Sequence, residues 1–553
     1  MATDADKLFK DFKEISVTEF FRKNKAHLGY SGAIRSLTTV IHELVTNSLD
    51  ACEEAGILPE VTVELHELGE EHYRFVEKDN GPGIPLKHIS SVFGKMLAGT
   101  KFHRNIQLRG QQGIGVSGVT MFSQMTTGKP LKIRTSTGTE INEIEMMVDI
   151  SKNKAEIISQ NAAEQSPDVA GWRGTEIEGE LKDVVYKQGE KSPYEYLRRT
   201  ALANPHARIT FTSPDGKTTV FERSVQDIPN PPVAVLPHPK GITVDDLFNM
   251  ARASDFRNTS AFLKHSFSRI SSAKVHEIES MVGFPLKRRP NGLKWEECEQ
   301  LVRAFKKVKF LAPSMEGLRP IGETQINNAM LSILDPQFSH CQSRSPLVHS
   351  GGVPFQIEVG IAYGGSAGRK TAEGPRAELL RFANRSPLLF DAGGCAITKA
   401  VNSIKWSRYG IKKIEEEPVT IFVNVVSTYI PYTSAGKQSI AYEQEIIEEI
   451  KKALMEIGRH FERHHARKHR AMEMENKKKA LMKYSKEVAG ALAKLTGKDS
   501  KELLENLKIL IEKRFETGAL DIEDEQDPEK PEIKKAGGGN LTDYMEGEDE
   551  GKP

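Results

Sequence analysis

Apolar and polar positions across residues 41–52, I-H-E-L-V-T-N-S-L-D-A-C, follow a helical period. Glu43, Asn47 and Asp50 fall at i, i+4 and i+7 and share a face, while Leu44, Val45, Ser48 and Leu49 supply the opposite one. Such a polar stripe is either a solvated surface or the wall of a site, and the rest of the chain must decide. Downstream, Val61, Val63 and Leu65 alternate with polar residues, and 73–76 is a second β-prone run. That run meets Asp79-Asn80-Gly81-Pro82-Gly83, whose breakers force a tight loop. Residues 110–118 are glycine-rich. Strands are predicted at 132–135, 140–150 and 174–178, then a hairpin turning at Ser213-Pro214-Asp215-Gly216. Hairpin-joined strands with a few helices predict an α+β layer.

Pro229, Pro231, Pro232, Pro237 and Pro239 exclude regular structure and mark a first boundary. Thr243-Val244-Asp245-Asp246 reads as a helix cap, and 247–298 is helix-rich, with breaks at Ser254-Asp255, Gly283-Phe284-Pro285 and Pro290-Asn291-Gly292. A second boundary is predicted at 312–317, after which β-prone runs return at 355–362 and 419–426. The loop 431–437 leads into a proline-free stretch, 440–483, predicted as one long helix, with shorter helices to 515. The expected organisation is α+β multidomain, with domains at 1–228, 229–309, 310–483 and 484–553.

Composition adds less. Lys and Arg total 77 against 76 Asp and Glu, so any nucleic-acid contact must come from local patches. One such patch is 252–309, with thirteen basic and six acidic side chains. Its Lys287-Arg288-Arg289 sits on a predicted turn, fitting either phosphate contacts or solvated surface. Residues 516–553 carry thirteen acids and four bases, and predict a disordered tail. Cys52, Cys298, Cys341 and Cys395 form no C-x-x-C pair and read as reduced thiols. No apolar run reaches the ~18 residues of a membrane span and the N-terminus shows no leader pattern, so a soluble cytoplasmic protein is expected.

Two motifs are decoys. Residues 113–118 spell G-x-G-x-x-G, but no strand precedes them, as a dinucleotide fold requires. Ser434-Ala435-Gly436-Lys437-Gln438-Ser439 lacks the upstream glycine of a phosphate loop and the hydroxyl residue directly after its lysine. Taken in order, however, Glu43-x-x-x-Asn47-x-x-Asp50, Asp79-x-Gly81-x-Gly83, Gly110-x-x-Gly113-x-Gly115 and Gly174-Thr175 resemble the four nucleotide-binding motifs of the GHKL ATPases. With E-L-V-T-N-S-L-D-A-C, G-Q-Q-G-I-G-V-S-G and P-Y-T-S-A-G-K-Q-S-I, the chain from about 7 to 483 resembles the topoisomerase VI B-subunit family of type IIB DNA topoisomerases. The resemblance implies a GHKL (Bergerat) α/β sandwich with an N-terminal strap and a helix-two-turns-helix module. An α/β transducer domain with a long C-terminal helix would follow.

Within that frame the residue types fit ATP. Asp79 can accept from the adenine amino group, where guanine would oppose one acceptor with another. Gly81 and Gly83 admit a base without a Cβ in the way. Asn47 offers a neutral oxygen to Mg²⁺, and Glu43, one turn earlier, is placed to activate the attacking water. Asp50 reads as a buttress, and His42, off that face, as structural. By resemblance, Thr175 supports the adenine edge and Thr100 and Lys101 stand at the front of a lid. Gly110, Gln111, Gln112, Gly113, Ile114, Gly115, Val116 and Ser117 would form that lid around the triphosphate. Lys437 matches the transducer lysine that reaches the γ-phosphate, making it a second catalytic candidate. Trp406-Ser407-Arg408-Tyr409-Gly410 departs from the family's W-K-x-Y-G by a serine. The histidine-rich run 459–470 has no cysteine and a single acid, Glu462, amid many bases, so DNA or partner contact is read there ahead of zinc.

The resemblance further implies ATP-dependent self-dimerisation and a separate A subunit that cleaves DNA, two A chains with two B chains. Supercoil relaxation and decatenation by double-strand passage, on duplex DNA and with no membrane, would follow. Another GHKL enzyme (a MutL-like repair protein or a histidine kinase) and a non-hydrolysing scaffold of a DNA-break complex remain the alternatives.

Overall fold

In the computed structural model, which describes residues 17–26, 28–96, 106–110, 113–149, 154–164, 172–349, 352–411, 413–434 and 436–524, α1 (Val17–Asn24) leads into α2 (Ala33–Glu54). Leu37, Ile41, Leu44, Val45 and Leu49 of α2 are buried as its period predicts. Beneath it lies an eight-stranded sheet, β5-β4-β3-β6-β2-β1-β7-β8. Its strands are β1 (Glu60–Gly69), β2 (His72–Asp79), β3 (Leu131–Ser136), β4 (Glu140–Asp149), β5 (Lys154–Glu164), β6 (Gly174–Lys182), β7 (Arg208–Thr212) and β8 (Thr218–Phe221). All neighbours are antiparallel except β1 and β7. Helices α3 (Leu86–Gly94), α4 (Gly115–Thr127) and α5 (Pro193–Ala203) complete the layer. On the sheet's polar face Lys132 pairs with Glu178 and Arg134 with Glu176. K-A-E-I-I-S-Q-N-A-A-E of β5 lacks a strand period and was not predicted; pairing along all of β4 recruits it.

The proline-rich segment leads to four short helices, α6 (Val244–Arg252), α7 (Thr259–Ser266), α8 (Ser272–Glu279) and α9 (Trp295–Lys307), around their own core of Leu247, Phe262, Phe267, Leu301 and Phe305. Thr243 and Asp246 form the expected reciprocal cap on α6.

After α10 (Glu323–Leu334) a second sheet runs β10-β11-β16-β14-β15, with β9 (Phe338–Ser343) also paired to β11. Its strands are β10 (Leu347–His349), β11 (Val353–Tyr363), β14 (Glu378–Ala383), β15 (Ser386–Pro387) and β16 (Val419–Ser427), and β12 (Arg369–Thr371) with β13 (Gly374–Arg376) makes a small hairpin. β16 is buried throughout, as in a strand covered on both faces. Helix α11 (Ala396–Asn402) and Ile446, Ile450, Leu454, Ile457 and Phe461 of α12 (Gln444–Thr496) pack into this core.

The long helix differs from its predicted span. A bridge between Tyr432 and Ile440 keeps the chain extended, so α12 starts at Gln444, and it ends only where Gly497 takes a left-handed conformation. It therefore passes through Lys483, where a boundary was expected. The second compact unit, from Glu462 onward, consists of the rest of α12 and α13 (Ser500–Asp524). Helix α13 carries regular structure through 516–524, which the acidic composition had assigned to a disordered tail; 525–553 and the strap residues 1–16 lie outside the described residues. Among the described residues no helix is long and apolar enough to cross a membrane.

Candidate active site

Between Ser36 and Glu53 every residue of α2 is buried except Glu43, Asn47 and Ala51. Those three stand at i, i+4 and i+8, so one narrow stripe of a buried helix opens outward. Asp50 is not on it, and its carboxylate instead accepts from Arg109 Nη1 at 2.6 Å. The Asn47 amide nitrogen donates to the Glu43 carbonyl at 2.5 Å, which fixes the amide and turns its oxygen toward Gly110. A Cβ at Gly110 would stand 3.8 Å from that oxygen.

Glu43 faces the start of α4. A Cβ on Gly115 would lie 2.2 Å from Glu43 Oε2, so only glycine lets the helix approach this closely. Ile114, the N-cap, provides no side-chain acceptor, and the amides of Gly115, Val116 and Ser117 in the first turn lack helical partners. Gly113 reaches this turn through φ +61°. Amides without helical partners at a helix N-terminus are the groups that can bind a phosphate.

A second pocket wall comes from β2 and β6. Asp79 Oδ1 accepts from the amides of Gly81 at 2.7 Å and Thr175 at 3.1 Å, and Oδ2 from Ser48 Oγ at 3.1 Å. The Thr175 hydroxyl lies 3.5 Å from that of Thr135, which holds the Ile84 amide at 2.9 Å. Gly81 and Gly83 are demanded by the protein itself. A Cβ at Gly81 would meet Asp79 Oδ1 at 2.9 Å, and one at Gly83, where φ is +73°, the Ser136 carbonyl at 2.0 Å. Burial raises the Asp79 pKa, against the opposing bonds from Gly81, Ser48 and Thr175. Below it Glu77, fully buried, is pushed well above the ordinary carboxylate range by burial and by the Asp79 charge. Sequence reasoning missed Glu77. Its signal was available: it occupies an inward position in the alternation Tyr73, Phe75, Glu77, Asp79, where an apolar residue is the rule.

Lys437 reaches this neighbourhood from the second sheet. It is 8% exposed, has φ +50°, and follows a turn in which its amide donates to the Ser434 carbonyl at 3.1 Å. Gly436 backs onto Gly29, just before α2, and Arg35 of α2 grips Asp391 with two bonds of 3.0 and 2.8 Å. Burial lowers the His42 pKa, the Glu43 charge opposes this, and the Lys437 charge adds to it. Tyr432, also unforeseen, is half-buried, and burial followed by the Glu43 charge raises its pKa. His42 packs edge-on against Tyr196 at 5.3 Å, as a structural residue would, yet its Nε2 lies 3.9 Å from Glu43 Oε1.

Thr100, Lys101, Gln111 and Gln112 lie outside the described residues. The structure thus brings together Glu43, Asn47, Gly110, Gly113, Ile114, Gly115, Val116, Ser117 and Lys437, beside Asp79, Gly81, Gly83 and Thr175. Elsewhere, Lys287 and Arg289 are exposed, whereas Arg288 is ion-paired to Glu297 and covers the Phe284 ring at 4.9 Å. Trp406 and Tyr409 are buried in the second core. His460 stacks on His340 at 4.0 Å, and no three metal-ligating side chains converge among the described residues.

Comparison with known proteins places this geometry. Residues 32–149 match the family described as histidine kinase-, DNA gyrase B- and HSP90-like ATPase, and 313–478 match the topoisomerase VI B subunit transducer. The chain is 48% identical over 558 residues to the type 2 DNA topoisomerase 6 B subunit of Pyrococcus horikoshii, covering 93% of this chain and 97% of that one. It is 48% identical over 515 residues to the protein of the same name from Methanothermobacter thermautotrophicus, covering 92% and 97%. Among solved structures, the DNA gyrase B subunit of Myxococcus xanthus aligns with a TM-score of 0.41 and 10% identity, covering 80% of this chain and 95% of that one.

Proposed function

The chain belongs to the type 2 DNA topoisomerase 6 B-subunit family, and from that premise we propose that the Glu43–Asn47 stripe is the catalytic wall of an ATP site gating double-strand passage. It is the ATPase subunit of a type II topoisomerase, working with an A subunit on DNA. The observation that carries the catalytic reading is the approach of Glu43 to the uncapped start of α4, beside the outward oxygen of Asn47.

Asp79 accepts from the adenine amino group, its orientation held by Ser48, Gly81 and Thr175. The amides of Gly115, Val116 and Ser117 bind phosphate oxygens, and Gly110 and Gly113 let the lid close over them. Asn47 fits Mg²⁺, because its amide nitrogen is occupied by Glu43 and its oxygen is turned outward. Mg²⁺ held there would supply charge neutralisation for the phosphates. Glu43 takes the proton of the attacking water, a role worth about 10²- to 10⁴-fold in rate. Lys437 binds the γ-phosphate from the second sheet. A nucleotide touching both sheets favours one arrangement of them, and moving a dimer equilibrium from 1:99 to 99:1 takes about 5.5 kcal/mol of such differential binding. Dimer closure on a captured duplex then accompanies cleavage by the A subunit, in a complex of two A and two B chains. The exposed Lys287 and Arg289 supply phosphate contacts to that duplex.

The test is ATP turnover by the purified protein with and without DNA, and strand passage with and without the A subunit. DNA-stimulated turnover, with passage only when the A subunit is added, is expected. Glu43→Ala abolishes turnover while a non-hydrolysable analogue still dimerises the chain; undiminished turnover in that variant removes the general-base assignment. An absence of turnover in the wild type favours the scaffold reading.

A further inference from the structure

Glu53 has no part in the chemistry above, yet its buried carboxylate is fully engaged. Oε1 accepts from Arg109 Nη2 at 2.6 Å and pairs with His206 Nε2 at 2.9 Å; Oε2 accepts from Arg319 Nη1 at 2.6 Å and Arg385 Nη2 at 2.5 Å. The three arginines come from distant segments. Arg109 precedes α4, Arg319 lies ahead of α10, and Arg385 is in the turn between β14 and β15. Each is more than nine-tenths buried, so their charges meet in a low dielectric rather than in water.

Two buried carboxylates answer these three charges: Glu53, and Asp50, which accepts from Arg109 Nη1 at 2.6 Å. Burial lowers the His206 pKa, against the pull of Glu53, so at neutral pH that ring adds no charge. One positive charge is left in excess, and it is not shared evenly. Burial works against the Arg109 charge, but Glu53 and Asp50 more than offset it and raise its pKa. Burial takes Arg385 down to about 10, against Glu53 and with the repulsion of Arg109 and Arg319.

The same three arginines line a cavity of about 200 Å³, with Asp50, Asn384 and Pro232. Glu54 also lines it but is exposed, where solvent screens its charge. Arg109 Nε, Arg319 Nη2 and Arg385 Nε are buried and meet no acceptor among the described residues. A buried charged donor left unmet is strongly unfavourable. Water entering the cavity supplies hydrogen bonds but no charge, whereas an oxyanion supplies both, and guanidinium groups match the paired oxygens of a phosphate. Backbone geometry points the same way. Arg385 is held at φ +66°, a left-handed conformation disfavoured for arginine, and residues so held cluster at functional sites.

We infer that this cavity is a binding site for a phosphate-sized oxyanion, held by Arg109, Arg319 and Arg385 and separate from the nucleotide site. Asp50 and Glu53 lie off the stripe of Glu43 and Asn47, so the anion sits to the side of that stripe. It neutralises the excess charge where α2, the approach to α10 and the β14–β15 turn meet, and so ties the second sheet to α2. The inference goes beyond the ATPase reading and does not depend on it.

The experiment is a calorimetric titration of inorganic phosphate into the full-length chain at constant ionic strength, with and without a saturating non-hydrolysable ATP analogue. Arg385→Met keeps the aliphatic stem and removes the charge. Pro232→Glu leaves all three arginines in place and sets a carboxylate in the cavity wall. Saturable binding of one phosphate per chain is expected in the wild type, and it persists with the analogue bound. Arg385→Met weakens it about 10-fold or more, as loss of a charged hydrogen-bond donor does, and Pro232→Glu abolishes it. Should Arg385→Met fail to fold, Pro232→Glu carries the test, because it keeps every partner of Glu53. Absence of saturable binding in the wild type overturns the inference, since the cavity then holds only water. Equal binding in wild type and variants overturns it by placing the phosphate elsewhere, and loss of binding on adding the analogue overturns it by placing the phosphate in the nucleotide site. Failure of the analogue to bind counts against the ATPase reading instead, and the variants then test the cavity in the nucleotide-free chain.

Discussion

Substituting Gly115 by alanine separates the catalytic role of Glu43 from the stability of the fold. The new methyl would sit 2.2 Å from Glu43 Oε2 and 3.1 Å from its Cδ, so the carboxylate must retreat by roughly 1 Å to reach ordinary contact. The retreat is cheap for folding, because the carboxylate ends a flexible side chain that is 16% exposed, and a shifted rotamer costs about 0.5–1.5 kcal/mol. Replacing glycine within a helix returns about 0.5–1 kcal/mol, so the net change in stability is close to zero. Catalysis is affected differently. A general base displaced by ~1 Å loses about 10²-fold in rate, equivalent to about 2.7 kcal/mol of transition-state stabilisation. The assay pairs phosphate release with thermal melting and with binding of a non-hydrolysable analogue. Melting and analogue binding near wild type, with kcat down about 10²-fold, is the expected pattern. Wild-type turnover in a well-folded Gly115→Ala protein would refute the assignment of Glu43 as the base at this position. Loss of analogue binding would instead assign the glycine to phosphate access.

Lys437→Ala should reduce hydrolysis much more than ADP affinity, measured by turnover and by ADP titration; equal losses would count against a γ-phosphate contact. Replacing Lys287 and Arg289 together should lower the slope of log K against log salt for duplex DNA by about 1.8, at ~0.9 per phosphate contact. Arg288→Ala should instead lower the melting temperature of the helical module, because its guanidinium is engaged with Glu297 and Phe284. Glu77 has a raised native pKa, so the native state binds more protons than the unfolded one. Its contribution is full below about 4.3, the unfolded value, and is lost as pH rises through the native value. Glu77→Gln should therefore flatten the fall in melting temperature between weakly acid and alkaline buffers, and an identical slope in both proteins would place the titration elsewhere.

The helical period of 41–52, the strand alternation of 61–65 and the breaker cluster at 79–83 were legible because each element's own neighbours dictate it. So were the cap at Thr243 and the β-prone run of β16. The candidate site was readable to the extent that its residues sit at fixed spacings in such elements, as do Glu43 and Asn47 on α2, or beside obligatory glycines, as does Asp79. What local pattern could not supply was anything dependent on a distant partner. β5 is a strand because β4 offers it a ladder, and α12 runs past Lys483 because no local breaker occurs before Gly497. Gly81 and Gly83 read as space for a base, but a Cβ there would also stand 2.9 Å from the Asp79 carboxylate and 2.0 Å from the Ser136 carbonyl. In the sequence, nothing sets Glu53 apart from other acids. Only the fold surrounds it with three arginines and a histidine, because burying a charge is tolerable only where partners from across the chain meet it. Sequence by itself determined which residues are the candidates for the chemistry of a nucleotide site. Tertiary structure decided which of them face it, and how the second sheet is tied to α2, since those depend on contacts between segments hundreds of residues apart.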